Sequence, residues 1–341
     1  MAAPWTPPAP RPLLFPTGVR VLLLCVAEAR PGVLAVSALR YLSGMALVLP
    51  AVPAPEPLKV VQGATAWVLS IFAVYLFNGV TDVAEDRING SGRPIARGDL
   101  DPRVAAVVAA AAGALSLAAT AGLPHPMVWI IAANLVLGFL YSGPPLPLKD
   151  SCGGTVAVLC LSGLLSYAGG AVVAGSATYE GVAGSATVSA VAVVQLPPSL
   201  LVFAAAATCW MVLVGVPAKD LSDIPGDTAA GRRTLGVLIG ERRSRQVMIA
   251  AALVVLAAFG LAVVLLEVPL VAVLAVMAAG VAAVAVAGTM PGAVTGRMAG
   301  TLAPGKRTGG AGRGARRRPY RAFMLTQHLL HITPLLTNIW P

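Results

Sequence analysis

"FNGVTDVAEDRINGSGRPIARG", residues Phe77–Gly98, follows directly on the apolar run Trp67–Phe77. Its reading decides the fold because Asp82, Glu85 and Asp86 stand at the mouth of a hydrophobic helix, in a chain otherwise sparing with charge. Charged residues make up 11% of the sequence and hydrophobic ones 57%, and the mean hydropathy is +0.82. An ordinary soluble domain is about 25% charged. This is the composition of a membrane protein.

Working outward, stretches approaching or exceeding the roughly 20 apolar residues that cross a bilayer run over Val33–Val52, Thr65–Gly79, Val104–Leu123, Met127–Tyr141, Thr155–Ala177, Ser199–Val216, Gln246–Leu266, Pro269–Thr289 and Phe323–Trp340. The expected fold is all-α: a polytopic bundle of about nine transmembrane helices around a central cavity. Residues 1–18 are Pro-rich and expected to be disordered, and 19–341 form one membrane domain. Val19–Ala27 reads as an interfacial helix; Glu28 and Arg30-Pro31 sit badly with signal-peptide cleavage near Ala29. Cys25, Cys152, Cys160 and Cys209 form no CxxC pair and read as small apolar residues.

Basic residues set the orientation. With the N-terminus cytoplasmic, the cytoplasmic connections hold Arg87, Arg93, Arg97, Arg103, Lys149, Lys219, Arg232, Arg233, Arg242, Arg243 and Arg245, and the opposite ones only Lys59. That is the positive-inside bias. Residues 303–318, basic and Gly-rich, are expected to form a flexible cytoplasmic loop. The formal net charge of +10 needs no nucleic acid as partner, since basic loops beside a bilayer attract anionic headgroups.

Asn78, Asp82 and Asp86 are spaced i, i+4, i+8 and share one helix face, which Asn89 continues. A second cluster, Asp220, Asp223 and Asp227, lies at the end of the sixth span, where Pro225 and Gly226 are expected to end the regular helix and leave Asp227 on a turn. Both clusters fall on the cytoplasmic side, which implies one site. Carboxylates this close to hydrocarbon are costly and repel one another, so a cation must join them. Hard oxygen donors suit Mg²⁺, which binds through one or two carboxylates plus substrate phosphates. Arg93, Lys149, Lys219, Arg232 and Arg233 would face that polyanion. Together these residues describe a Mg²⁺-diphosphate site.

The residues also carry a family resemblance. "NGVTDVAEDRINGSGRPIARG" resembles the NxxxDxxxD motif of the UbiA superfamily of intramembrane prenyltransferases. "KDLSDIPGDTAAGRRTLGVLIG" (Lys219–Gly240) resembles its second DxxxD motif, and "YSGPPLPLK" (Tyr141–Lys149) its Tyr…Lys motif. The resemblance implies that Asn78, Asp82 and Asp86 hold one Mg²⁺ and Asp223 and Asp227, with Asp220 beside them, a second. Tyr141 and Lys149 would lie near the diphosphate of an isoprenyl diphosphate. Where the family often has Asp after the Asn, this chain has Gly79. Ionisation would give an allylic carbocation, with Tyr75, Phe77, Phe139, Tyr141, Tyr167 and Trp210 as aromatic candidates to face it. Capture by an aromatic or other small lipophilic acceptor makes a prenyltransferase; UbiA-type terpene cyclases, which need no acceptor, share both acidic motifs and are the alternative. A transporter would place its charges nearer the bilayer midplane, and the DGxxAR opening of CDP-alcohol phosphotransferases is absent. Arg40, inside the first span, reads equally as a cavity contact or a bonded residue of the bundle. His125, His328 and His331 lack nearby metal-ligand companions.

Overall fold

The structure is a computed structural model that describes residues 17–177, 196–289 and 314–339. Among these residues the chain is helical with no strand, and one isolated bridge pairs Ser151 with Arg233. The helices are α1 (Thr17–Glu28), α2 (Pro31–Val48), α3 (Pro57–Thr81), α4 (Val83–Ile88), α5 (Pro94–Arg97), α6 (Pro102–Ala118), α7 (Pro126–Ser142), α8 (Cys152–Ala174), α9 (Pro198–Trp210), α10 (Val216–Ala229), α11 (Leu235–Leu265), α12 (Val271–Thr289) and α13 (Arg318–Ile339).

Proline opens much of this bundle. Pro31, Pro57, Pro102, Pro126 and Pro198 each stand in the first turn of a long helix, where the missing N–H would have had no intrahelical partner and the fixed φ suits the helix. Asp101 and Ser151 cap α6 and α8 by accepting the N–H of Arg103 and Gly154.

Among the described residues, six segments are long and apolar enough to cross a membrane: Pro31–Ala51, Pro57–Thr81, Cys152–Ala174, Pro198–Ala229, Leu235–Leu265 and Val271–Thr289. The apolar helices α6 and α7 are shorter, and α13 is interrupted by Arg318, Arg321, Gln327, His328 and His331. Close packing rests on small residues: the Gly44 face of α2 meets the backbone of Tyr167 on α8, and Gly170 on α8 meets the carbonyl of Tyr41. Residues 303–313 of the expected loop lie outside the described residues; 314–316 are helical, and Arg316 reaches Glu241 on α11 at 2.8 Å. Residues 1–16 also lie outside the described residues, and α1 starts at Thr17.

Helix α9 passes through a π-helical turn, Met211–Gly215, into α10, and each residue added to a turn rotates the rest of the helix by about 100°. One feature differs from the sequence expectation. Helix α10 then continues through Pro225 and Gly226 to Ala229, so Asp227 is helical and not on a turn. The physical reason is a side chain from outside the helix. Pro225 has no N–H to give, and the Gly226 N–H is taken by Asn89 Oδ1 at 2.8 Å, so the donor displaced by the proline is satisfied.

Candidate active site

Asp82 is the junction between α3 and α4. Its φ of −94° and ψ of 10° leave helical geometry, yet its N–H still reaches the Asn78 carbonyl at 3.0 Å and its own carbonyl accepts the Asp86 N–H at 2.9 Å. The i, i+4, i+8 relation therefore survives the break. Asn78 is fixed by donating its amide to Ser142 Oγ on α7 at 3.0 Å.

All the expected site residues except Arg233 come together, in two adjoining chambers. Asn78, Asp82, Asp220 and Asp227 line one with Tyr141, Lys149, Lys219 and Arg232. Asp86 and Asp223 line the other with Arg93, Arg30 and Arg97. Arg30, Lys219 and Tyr320 border both.

Each carboxylate lies within ion-pair distance of a cation of the chain itself, four cations being shared among six carboxylates. Lys149 donates to Asp82 at 2.7 Å and to Thr81 Oγ1 at 2.8 Å. Arg232 contacts Asp82 at 2.8 Å, Glu85 at 2.9 Å and Asp227 at 3.4 Å. Lys219 lies 3.0 Å from Asp223 and 3.6 Å from Asp220, and Arg93 2.8 Å from Asp86. Thr234 Oγ1 donates to Asp227 at 3.2 Å, and Ser222 Oγ to Asp223 at 2.9 Å. Burial works against the charge on Asp82, but Lys149 and Arg232 outweigh it and hold the carboxyl well below the usual range. Burial likewise opposes the Arg232 charge, and Asp82, Glu85 and Asp227 outweigh it, so the guanidinium stays protonated.

In this arrangement no group of three or more His, Cys, Asp and Glu side chains among the described residues is gathered closely enough to hold a metal. The donor chemistry nevertheless fits Mg²⁺: every carboxylate of both clusters is an oxygen donor in contact with a cation, and one guanidinium spans Asp82 of the first cluster and Asp227 of the second.

One expected phosphate-facing residue is turned away. Arg232 and Thr234 are buried, whereas Arg233 is exposed and pairs its backbone N–H with the Asp150 carbonyl at 2.9 Å. Adjacent residues of an extended segment point to opposite sides, so Arg233 cannot join Arg232 in the cavity. Of the aromatic candidates, Tyr75 and Tyr141 line the cavity. Phe77 and Phe139 stack on each other at 6.0 Å, while Tyr167 packs against Phe203 and His331, and Trp210 against Phe323. His331 is fully buried and bonds Tyr167 Oη at 2.7 Å, a structural role.

Sequence reasoning gave no role to Arg30, Glu28, Ser142, Thr234 and Tyr320. Arg30 alone carried a local signal. It precedes Pro31, which disfavours α geometry for it, and it turns the chain from α1 into α2 at a left-handed φ of 61°. Burial opposes its charge, and Tyr320, Asp86 and Asp223 outweigh that and raise its pKa. Asn89 joins the clusters directly through Gly226, and a Cβ at 226 would run into the Asn89 amide. Gly226→Ala is therefore expected to lower stability by about 1–3 kcal/mol, read as a lower Tm in detergent; an unchanged Tm would contradict this contact.

The chain is similar to known proteins. The model of the UbiA prenyltransferase family matches residues 38–290. A digeranylgeranylglyceryl phosphate synthase of Natronomonas pharaonis is 34% identical over 202 residues, a match covering 59% of this chain and 64% of that enzyme. One of Halobacterium salinarum is 33% identical over 222 residues, covering 64% and 70%. Among solved structures, the fold is similar to a UbiA homologue from Archaeoglobus fulgidus bound to GPP and Mg²⁺, with a TM-score of 0.61 and 17% identity over 92% of this chain and 99% of that one. A homologue from Aeropyrum pernix K1 gives 0.58 and 17%, over 89% and 98%. The helical bundle and the two acidic motifs thus lie in a chain that belongs to the UbiA prenyltransferase family.

Proposed function

We propose that this protein transfers a prenyl group from an isoprenyl diphosphate to a lipophilic acceptor, at a Mg²⁺ site shared by the two acidic clusters. The observation that carries the reading is the bridge by Arg232 between Asp82 and Asp227, with Lys149, Lys219 and Arg93 on the remaining carboxylates. Asn78, Asp82, Asp86, Asp223 and Asp227 would hold two Mg²⁺ ions, with Asp220 beside them. Bound Mg²⁺ would neutralise the charge that grows on the departing diphosphate. Lys149, Arg232 and Lys219 then turn from carboxylate to phosphate oxygens, Arg93 presents to them the edge that faces Asp86, and Arg30 closes the anion's other side. Tyr75 and Tyr141 offer ring faces to the allylic cation. The prenyl tail runs along the largely apolar extension lined by Val33, Val36, Ile71, Leu159, Met211 and Phe323, with Arg40 and Lys219 in its wall, which limits water at the cation.

The names of the two synthases favour a glyceryl phosphate lipid as acceptor over an aromatic acid, and transfer over cyclisation. The remaining basic lining of the second chamber, Arg97 and Arg317, suits the phosphate of such an acceptor. Purified protein with Mg²⁺ and geranylgeranyl diphosphate should yield a prenyl ether with geranylgeranylglyceryl phosphate, detected by mass spectrometry. A cyclic hydrocarbon formed without acceptor would overturn the transfer reading.

The same reading takes α6, α7 and α13 as crossing the bilayer with the six longer segments, nine in all, with the N-terminus and the site cytoplasmic. Cysteines introduced singly at Gly18 and Thr337, in a background lacking the four native ones, should then label from opposite sides. Labelling from one side would contradict the count.

A further inference from the structure

The departure at Gly79 has a counterpart in space. Gly79 is buried in the last turns of α3, and a Cβ built on it would run into Glu28 Oε1 and lie 2.6 Å from Arg93 Nη2. The volume beside the first acidic cluster is thus filled by a carboxylate from another helix. Glu28 ends α1, before the first long span, and is fully buried. An ionised carboxylate there is tolerated only if paired and hydrogen-bonded, and its partners are specific. Oε1 forms an ion pair with Arg93 Nε at 2.6 Å but no hydrogen bond, Oε2 accepts the Ile95 N–H at 2.9 Å, and the Glu28 main-chain carbonyl accepts from Arg93 Nε and Nη2 at 3.3 and 3.1 Å. That leaves Arg93 Nη1, which donates to Asp86 Oδ2 at 2.8 Å. Glu28 therefore fixes one edge of the guanidinium and leaves the other for the motif carboxylate.

We propose that Glu28 is a positioning residue of this active site: its carboxylate occupies the space that a side chain at 79 would fill and holds Arg93 in one orientation, edge-on to Asp86 and the adjoining anion chamber. The proposal rests on the prenyl-transfer reading above. Arg93 meets the diphosphate without first having to be ordered, which is what a planar, pre-oriented guanidinium contributes to anion binding. A purely structural Glu28 would only tie α1 to α5 through Ile95. The two roles separate because the side chain meets Arg93 through Oε1 and Ile95 through Oε2, while the main-chain carbonyl's bonds to Arg93 are common to all variants at 28.

The test compares Glu28→Gln, Glu28→Ala, Gly79→Asp and the double variant Glu28→Ala/Gly79→Asp. It measures KM for geranylgeranyl diphosphate, kcat, affinity for inorganic diphosphate by calorimetry, and Tm. Glu28→Ala should raise KM and weaken diphosphate binding about 10- to 100-fold, with a smaller change in kcat and a lower Tm. Glu28→Gln, which keeps the shape and the Ile95 acceptor, should raise KM with little loss of Tm. Gly79→Asp alone should be impaired, since two carboxylates would compete for one space. In the double variant the carboxylate introduced on α3 reaches Arg93 in place of the one removed from α1, so diphosphate affinity should return to within about threefold of wild type, while Tm stays low because the Ile95 N–H remains unpaired. Wild-type KM in both Glu28 variants, or a double variant that binds diphosphate no better than Glu28→Ala, would overturn the proposal. Wild-type protein that binds diphosphate but transfers no prenyl group would count against the transfer reading alone; loss of affinity in Glu28→Ala and its return in the double variant would still uphold the role of Glu28.

Discussion

Asp82→Asn is expected to lower kcat/KM by about 10²- to 10³-fold while the protein stays folded and inserted. Asp82 is the cluster carboxylate on which two cations, Lys149 and Arg232, converge. Lys149 and Arg232 both bond its Oδ1, and it stands at the helix junction between Asn78 and Asp86. The amide keeps the volume and one acceptor oxygen but removes the charge that would bind Mg²⁺ and keep the two cations in register. Alanine is a less clean probe, because stripping a buried partner from Lys149 and Arg232 costs about 3–5 kcal/mol and mixes stability with chemistry. Asp101→Asn, at the exposed cap of α6, is the control and should leave turnover unchanged. Turnover of Asp82→Asn near wild type would remove Asp82 from the metal site.

The second large effect is on stability. Arg232→Met is expected to destabilise the protein by about 3–5 kcal/mol, because it removes the cation shared by Asp82, Glu85 and Asp227 and leaves three carboxylates facing one another. Added Mg²⁺ should raise the Tm of this variant more than that of wild type, since a ligand of the native state stabilises it by mass action and the variant offers Mg²⁺ a site with no resident guanidinium. Arg232→Met/Asp227→Asn should recover part of the Tm without recovering turnover. If Mg²⁺ shifted the Tm of the variant no more than that of wild type, the shared carboxylates would not be a metal site.

How much of this could be read beforehand depended on the range of the interaction. The periodic relation of Asn78, Asp82 and Asp86 is a property of one helix, and it holds even through the junction at Asp82. The apolar runs likewise marked the long helices, and the prolines marked where several begin. What escaped was set by contacts between elements far apart in sequence. Pro225 and Gly226 are helix breakers in isolation, and the helix continues because Asn89, more than a hundred residues earlier, takes the orphaned N–H. Arg233 and Arg232 are equivalent in sequence; an extended segment held against Asp150 turns one in and the other out. Glu28 read only as an awkward charge before the first span, since nothing local reveals that it meets Arg93 and Ile95.

Whether both acidic clusters form a single Mg²⁺-diphosphate site is tested most directly by calorimetric titration of inorganic diphosphate, with Mg²⁺ present and then removed by EDTA, into wild type, Asp82→Asn and Asp223→Asn. One shared site predicts Mg²⁺-dependent binding in wild type that is weakened by about tenfold or more by either substitution alone, in either cluster. Unweakened binding in one of the two variants, or wild-type binding that persists in EDTA, would contradict it.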